Sequence, residues 1–199
     1  MKKHLLINQK KITYTDIGNG EVIVLLHGYL ESIEVWNNFS SKLSKNFRVV
    51  CFDTPGHGDS EILSEKHSIR QLTACIRDCL NVLNIDKVFM IGHSMGGYIT
   101  LMFHELFPEK LLGFSLFHSH PYADTQETIK KRLREIGLVK DGKKDLIAKF
   151  NIPNAFANSN LKKLKNEVEN TIDIALKTPG DGIISNLHAM MGRPDLSES

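Results

Sequence analysis

A serine stands between glycines at both second neighbours in Gly92-His93-Ser94-Met95-Gly96-Gly97, with the apolar run Val88-Phe89-Met90-Ile91 before it and a helical pattern after it. A serine at the tip of so tight a strand-to-helix turn takes a strained backbone conformation. Strand and helix pass close to each other there, so the residues two before and two after it must be very small. Gly92 and Gly96 meet that demand, and Gly97 relaxes it further. The turn lifts the Ser94 hydroxyl clear of a sheet. It also aims the first amide N–H groups of the helix, beginning with Met95, at whatever the hydroxyl attacks. The competing reading is a glycine-rich turn with a bystander serine. The flanking strand and helix argue against it, whereas the Gly-x-Ser-x-Gly pattern alone turns up by chance in many proteins.

From residue 21 to 118 strand and helix alternate. Glu21-Val22-Ile23-Val24-Leu25-Leu26 is an unbroken β-branched and leucine run, as expected of a strand covered on both faces. Ser32 can cap a helix from about 33 to 45, and residues 47–52 read as the next strand. A turn-rich loop, Asp53-Thr54-Pro55-Gly56-His57-Gly58-Asp59-Ser60, follows, then a helix over about 68–83. Residues 87–91 lead into the serine turn, 95–107 lead out of it, and Pro108 closes that helix. The apolar run 111–117 is another strand, ending in His118-Ser119-His120-Pro121. Before all this, residues 4–8 and 11–17 read as a hairpin. The expectation is a doubly wound, mostly parallel sheet whose reactive groups gather beyond the carboxyl ends of the strands. His27-Gly28-Tyr29, Asp53, Ser94 and His118 all fall there.

After residue 121 only helical patterns remain, at about 125–137, 142–150, 160–177 and 180–191, the last with Pro179 at its first helical position. Four successive helices without strands do not suit a doubly wound pattern. We therefore expect a core sheet domain over 1–121 and a helical lid over 122–192, with 193–199 starting a return to the core. The alternative is that these helices simply flank the sheet.

A chain of 199 residues is long enough for one domain with a real core, and its net charge of +2 gives no reason to expect nucleic acid or an anionic membrane as partner. Only Leu5-Leu6-Ile7 follow the basic start, too short for a signal-peptide core, so a cytoplasmic location is expected. Cys51, Cys75 and Cys79 are odd in number and lack metal-like spacing, which suggests buried reduced thiols. None of the nine histidines shows a metal-ligand spacing, so no metal is expected.

His27-Gly28-Tyr29, the Asp53-to-Ser60 loop and Gly92-to-Gly97 occur in this order and at these spacings. The chain thereby resembles α/β-hydrolase-fold enzymes, of the small bacterial esterase-like type with a helical cap, from about residue 12 to 195. The resemblance implies that Ser94 is the nucleophile and that the backbone N–H groups of Tyr29 and Met95 are the oxyanion-hole donors. It implies structural roles for His27, Gly28, Gly92, His93, Gly96 and Gly97, and likewise for His57. It also implies acyl transfer through an acyl-serine, with a small acyl ester as substrate and no cofactor; an aspartate in place of Ser94 would instead have suggested a dehalogenase or epoxide hydrolase. Tyr29, His118 and His120 are the substrate-binding candidates.

The resemblance departs at the end. Such enzymes continue past the cap with two more strands, whose loops carry the acid and then the histidine of the triad. About 60 residues are expected to be absent by that measure. Three explanations stand: a shortened version of a true hydrolase; takeover of the base role by His118 or His120, with His188 more distant and Asp124 orienting one of them; or a non-catalytic small-molecule binding protein on the same scaffold. In the first case the strand 111–117 becomes an exposed apolar edge, and self-association through it is expected.

Overall fold

The computed structural model describes residues 1–198; Ser199, the last residue of the expected 193–199 segment, lies outside the described residues. β1 (Lys3–Ile7) and β2 (Lys10–Ile17) pair antiparallel. They are joined by Asn8 and Gln9 at φ 49° and 65°, the two left-handed residues of a tight hairpin turn. β3 (Val22–Leu26), β4 (Arg48–Phe52), β5 (Val88–His93) and β6 (Leu111–Phe117) complete one six-stranded sheet in the order β1-β2-β4-β3-β5-β6. β2 meets β4 antiparallel; β4, β3, β5 and β6 are parallel. The chain moves outward from β3 to β4, then crosses back to place β5 on the other side of β3. The crevice beyond the ends of β3 and β5 is thus the point where strand order reverses, the usual place for a site in such sheets.

Ser32 accepts the Glu34 N–H and starts a single 3₁₀ turn (Ile33–Trp36) that runs into α1 (Asn37–Leu43). Ser68 accepts the Gln71 N–H at 3.1 Å and caps α2 (Ile69–Val82); α3 (Met95–Leu106) leaves the serine turn. β3 and β4 are buried on both faces, as their unbroken apolar runs require. Val24, Leu26, Val50 and Phe52 face the main core with α2 and α3, whereas Ile23, Leu25, Val49 and Cys51 face Ile33 and Trp36. Each fully buried leucine or valine here contributes roughly 2 kcal/mol. All three cysteines are buried and free.

The β6 run does not behave like that of β3. Leu111 and Phe114 pack against the main core, but Leu112 and Phe117 are 56% and 49% exposed, and Phe89 on β5 is also exposed. The reason is coverage: α1 and its 3₁₀ turn lie chiefly over β3 and β4, and Trp36 reaches β5 and β6 near their carboxyl ends, against His93 and Phe117. β6 also pairs with β5 alone among the described residues.

The second half holds α4 (Gln126–Lys140), α5 (Lys144–Asn154), α6 (Lys165–Leu176) and α7 (Gly180–Met191). Thr125 accepts the Thr128 N–H and caps α4. Three boundaries differ from expectation. Pro153 lies inside the last turn of α5, where loss of one donor is tolerated, so the helix runs past 150. Asn158–Asn160 form a separate 3₁₀ turn before α6. Pro179 is the N-cap of α7, one residue ahead of its expected place.

α7 is seated on the loop after β4. A side chain on Gly182 would overlap the Gly56 carbonyl. Asn186 Nδ2 donates to Pro55 O at 2.9 Å, and the Ser185 hydroxyl reaches the Ser64 and Glu65 carbonyls at 3.0 Å each. The His67 N–H donates to Ser185 O, while His67 Nε2 accepts the Leu63 N–H at 2.9 Å. Past α7 the chain returns to the end of the sheet: Leu196 N donates to Pro121 O at 3.0 Å. There the buried Asp124 carboxylate takes N–H groups from both Arg132 and Arg193, and Arg193 stacks on the Tyr98 ring at 3.9 Å.

Two outcomes are expected. Removing one member of a buried ion cluster leaves its partners uncompensated, so Asp124→Ala is expected to cost about 3 kcal/mol in urea unfolding; a loss below about 1 kcal/mol would contradict the role given to this cluster. Burial pulls the His67 pKa down to about 4. Between the unfolded value near 6.5 and this folded value, the unfolded chain binds more protons, so stability falls as pH falls through that window. The thermal midpoint by circular dichroism should therefore drop from about pH 7 to about pH 4.5, less steeply in His67→Gln. A midpoint that rises over that interval would contradict the assignment.

Candidate active site

Ser94 occupies the turn between β5 and α3 at φ 48°, ψ −113°, a conformation that L-residues avoid. The strain is held from several sides. Ser94 N donates to Phe117 O at 3.1 Å, and Ser94 O accepts from Gly97 N at 2.9 Å and from the Ser119 hydroxyl at 2.8 Å. A side chain at Gly92 would overlap the Gly96 carbonyl, and one at Gly96 would overlap the Leu26 carbonyl. The smallness read from the sequence is therefore a demand of backbone on backbone. Gly97 answers a further demand: a side chain there would collide with Ser119.

The loop after β3 lies beside this turn because β3 and β5 are neighbours. His27 is fully buried. Its Nε2 accepts the Thr54 N–H at 3.0 Å, which leaves the proton on Nδ1 to be donated to Gly28 O at 2.8 Å. His57 Nε2 accepts the Leu30 N–H at 3.2 Å, and Leu30 itself is held at φ 64°. That left-handed conformation costs a leucine roughly 1–2 kcal/mol. Burial lowers the pKa of both histidines, that of His57 well below the ordinary value. They are neutral backbone acceptors, and neither hydrogen-bonds the Ser94 side chain. Asp53 anchors the neighbouring loop: Oδ1 accepts the Ile33 N–H at 2.8 Å and Oδ2 the Asp59 N–H at 3.0 Å.

The amides of Tyr29 and Met95 donate to no acceptor among the described residues. The Tyr29 ring stands edge-on to His57, and its hydroxyl donates to Glu135 Oε2 on α4 at 3.1 Å; Glu135 Oε1 in turn accepts Asn151 Nδ2 of α5 at 2.8 Å. Burial, reinforced by Glu135, raises the Tyr29 pKa well above its usual value, so the phenol stays protonated. Because α4 touches the loop after β3 and α7 the loop after β4, these helices lie over the carboxyl edge of the sheet.

The two histidines after β6 separate. His118, at φ 47°, packs on Phe117 and faces His93. His120 packs on Tyr98 and Tyr122 and lines a cavity of about 470 Å³ with Asp124, Arg132 and Arg193. Burial and the charge of Arg193 lower its pKa. Neither is hydrogen-bonded to Ser94. Asp124 is taken up by its two arginines, and no hydrogen bond joins it to His118 or His120. Burial pulls its pKa up, yet the guanidinium groups outweigh that and hold it below the usual carboxylate value.

Sequence reasoning missed Glu31. Its Oε2 accepts both the Gly28 N–H at 2.6 Å and His93 Nδ1 at 2.9 Å. The one available signal is a carboxylate three residues after Gly28 in the same short loop. A lone acid there carries no pattern of its own.

The α/β hydrolase fold model matches residues 21–137. Among curated proteins the chain is 35% identical over 95 residues to an (E)-2-((N-methylformamido)methylene)succinate hydrolase of Acinetobacter baylyi, covering 48% of this chain and 36% of that protein. It is also 35% identical over 98 residues to a soluble epoxide hydrolase of a Corynebacterium species, covering 49% and 34%. The chain spans less than half the length of the curated relatives it matches. Among solved structures, an esterase from Thermogutta terrifontis superposes with a TM-score of 0.93 at 23% identity, over 100% of this chain and 75% of that one. The enol-lactonase of Burkholderia xenovorans gives 0.90 at 23%, over 98% and 75%. With six mixed strands in the order described, a serine turn after β5 and a family model matched over more than half its residues, the chain belongs to the α/β-hydrolase-fold family.

Proposed function

We propose that this chain carries the nucleophile and oxyanion donors of a serine hydrolase of the carboxylesterase kind, acting on a small acyl ester. The observation that supports it most is the strained Ser94 at the end of β5, with the Tyr29 amide on the loop of the neighbouring β3 and the Met95 amide next in the chain both lacking an acceptor among the described residues. In this reading Ser94 Oγ attacks the ester carbonyl carbon, and the carbonyl π pair becomes an oxyanion. The two N–H groups stabilise that charge, each worth about 3 kcal/mol of barrier. The Ser94 O–H proton passes by way of a base to the departing alkoxide, which leaves as the alcohol when the ester C–O bond breaks, and water then hydrolyses the acyl-serine to the acid and free Ser94. No cofactor enters these steps. The hydrolase names of the curated relatives support hydrolysis as the reaction class. Helices α4–α7 are read as a lid over residues 122–192 on a core of 1–121, tied to the oxyanion loop through Tyr29 and Glu135, with 193–199 returning to the core.

A second reading is favoured by one observation: no histidine among the described residues is hydrogen-bonded to Ser94. It makes the chain a small-molecule binding protein on the same scaffold. Intact-mass analysis after treatment with a fluorophosphonate separates the two. The acyl-transfer reading expects one adduct on the wild-type chain and none on Ser94→Ala, which would show that a base acts within these residues. A folded wild-type chain that takes no adduct, with a small molecule raising its melting temperature without turnover, would support the binding reading.

We further propose that copies of the chain associate through the exposed β6 edge. Light scattering is expected to show dimers or larger species, reduced by Leu112→Lys; a monodisperse wild-type monomer would overturn this.

A further inference from the structure

We propose that Glu31 is a positioning residue for the reaction at Ser94: one carboxylate oxygen ties the loop carrying the Tyr29 amide to the turn carrying the Met95 amide. The inference rests on the acyl-transfer reading of Ser94. Glu31 Oε2 is the shared acceptor of the Gly28 N–H at 2.6 Å and His93 Nδ1 at 2.9 Å. Gly28 belongs to the loop after β3, and His93 immediately precedes Ser94. The glutamate and histidine side chains are only 13% and 25% exposed, so water competes weakly for these bonds.

The consequence runs through peptide planarity. In a trans peptide the C=O and the following N–H point in opposite directions. Gly28 O is held by His27 Nδ1 at 2.8 Å and by Glu31 N at 3.3 Å. The Tyr29 N–H must therefore point away from His27, and it can reverse only if the whole Gly28–Tyr29 peptide flips. Glu31 blocks that flip by fixing the adjoining peptide through the Gly28 N–H. Its backbone and its side chain thus grip Gly28 on both sides.

His93 makes the grip common to both loops. Its ring is walled by Trp36, Phe117 and His118, which leaves it little freedom to turn away from Glu31. The packing leaves no room for slack either. A Cβ on Gly28 would stand 3.0 Å from both Glu31 Oε2 and His93 Nδ1. The other supports of the loop run elsewhere: His27 and His57 bind it to the Asp53–Ser60 segment, and the Tyr29 hydroxyl binds it to Glu135 of α4. Among the described residues Glu31 alone bonds it by a side chain to the turn that bears the nucleophile.

The test combines the second-order rate of Ser94 phosphonylation by a fluorophosphonate with hydrogen exchange at the Gly28 and Tyr29 amides, in wild type, Glu31→Ala and Glu31→Gln. Circular dichroism confirms folding in each. Glu31→Ala is expected to slow phosphonylation about 10- to 100-fold and to speed exchange at Gly28. Glu31→Gln keeps an amide oxygen for the Gly28 N–H and is expected to recover most of that rate. Should Glu31→Ala not fold, His93→Phe keeps the ring, removes the donor, and is expected to slow labelling while leaving Gly28 protected. A folded Glu31→Ala that labels within about twofold of wild type overturns the proposal. A wild-type chain that takes no label overturns the acyl-transfer reading instead. Exchange then decides the clamp by itself: it stands if Glu31→Ala releases Gly28 and Glu31→Gln does not, and falls if both exchange as wild type does.

Discussion

Three backbone segments meet at one point in this fold, and the contact is too close for any side chain. The end of β5 touches the first turn of α3 at Gly92 and Gly96, and Gly96 also touches the end of β3 at the Leu26 carbonyl. That contact fixes how α3 leaves the sheet, and it fixes the separation between the serine turn and the loop after β3. A methyl group at Gly92 or Gly96 would have to move main chain, not a flexible side chain. The strain at Ser94 is the local consequence, and three neighbouring groups, Phe117 O, Gly97 N and the Ser119 hydroxyl, hold it by hydrogen bonds.

The second layer of the design is a set of acceptors that keep their charge state fixed. His27 and His57 are buried and neutral, and each spends a ring nitrogen on a backbone N–H of the loops after β3 and β4. A charged histidine could not accept those bonds, so the same burial that lowers their pKa secures the loop geometry. Asp53 does the corresponding work for the segment that follows β4. Tyr29 extends the arrangement outward, because its hydroxyl ends on Glu135 of α4. Helices α4 and α5 and the loop after β3 thus share hydrogen bonds through Glu135.

Legibility in the sequence followed the range of the interaction. The serine turn, its glycines and the His-Gly-Tyr segment were readable because each is a local backbone demand met by residue type within a few positions. The β3 run was read correctly as covered on both faces. The similar run in β6 was expected to be an exposed apolar edge, and β6 is an edge strand among the described residues; composition reports what a strand can bury and not which neighbours are there to bury it. Helix ends after residue 141 were shifted for a related reason: Pro153 is tolerated inside the last turn of α5, and Pro179 stands one position ahead of where local rules put it. The Asp124–Arg132–Arg193 cluster was not legible, because Arg193 lies far along the chain from its partners. Glu31 was missed although it is local, since a single acid in a loop has no periodicity or pattern to mark it.

The central claim is that the Tyr29 and Met95 amides are set in advance to receive an oxyanion formed at Ser94. The most direct measurement is a crystal structure of the chain after reaction with a small phosphonate, whose tetrahedral phosphorus stands in for the carbonyl carbon under attack. The account predicts phosphorus bonded to Ser94 Oγ, with the phosphoryl oxygen within about 2.7–3.1 Å of both amide nitrogens. An adduct whose phosphoryl oxygen faces solvent, or reaches only one of the two, would contradict it.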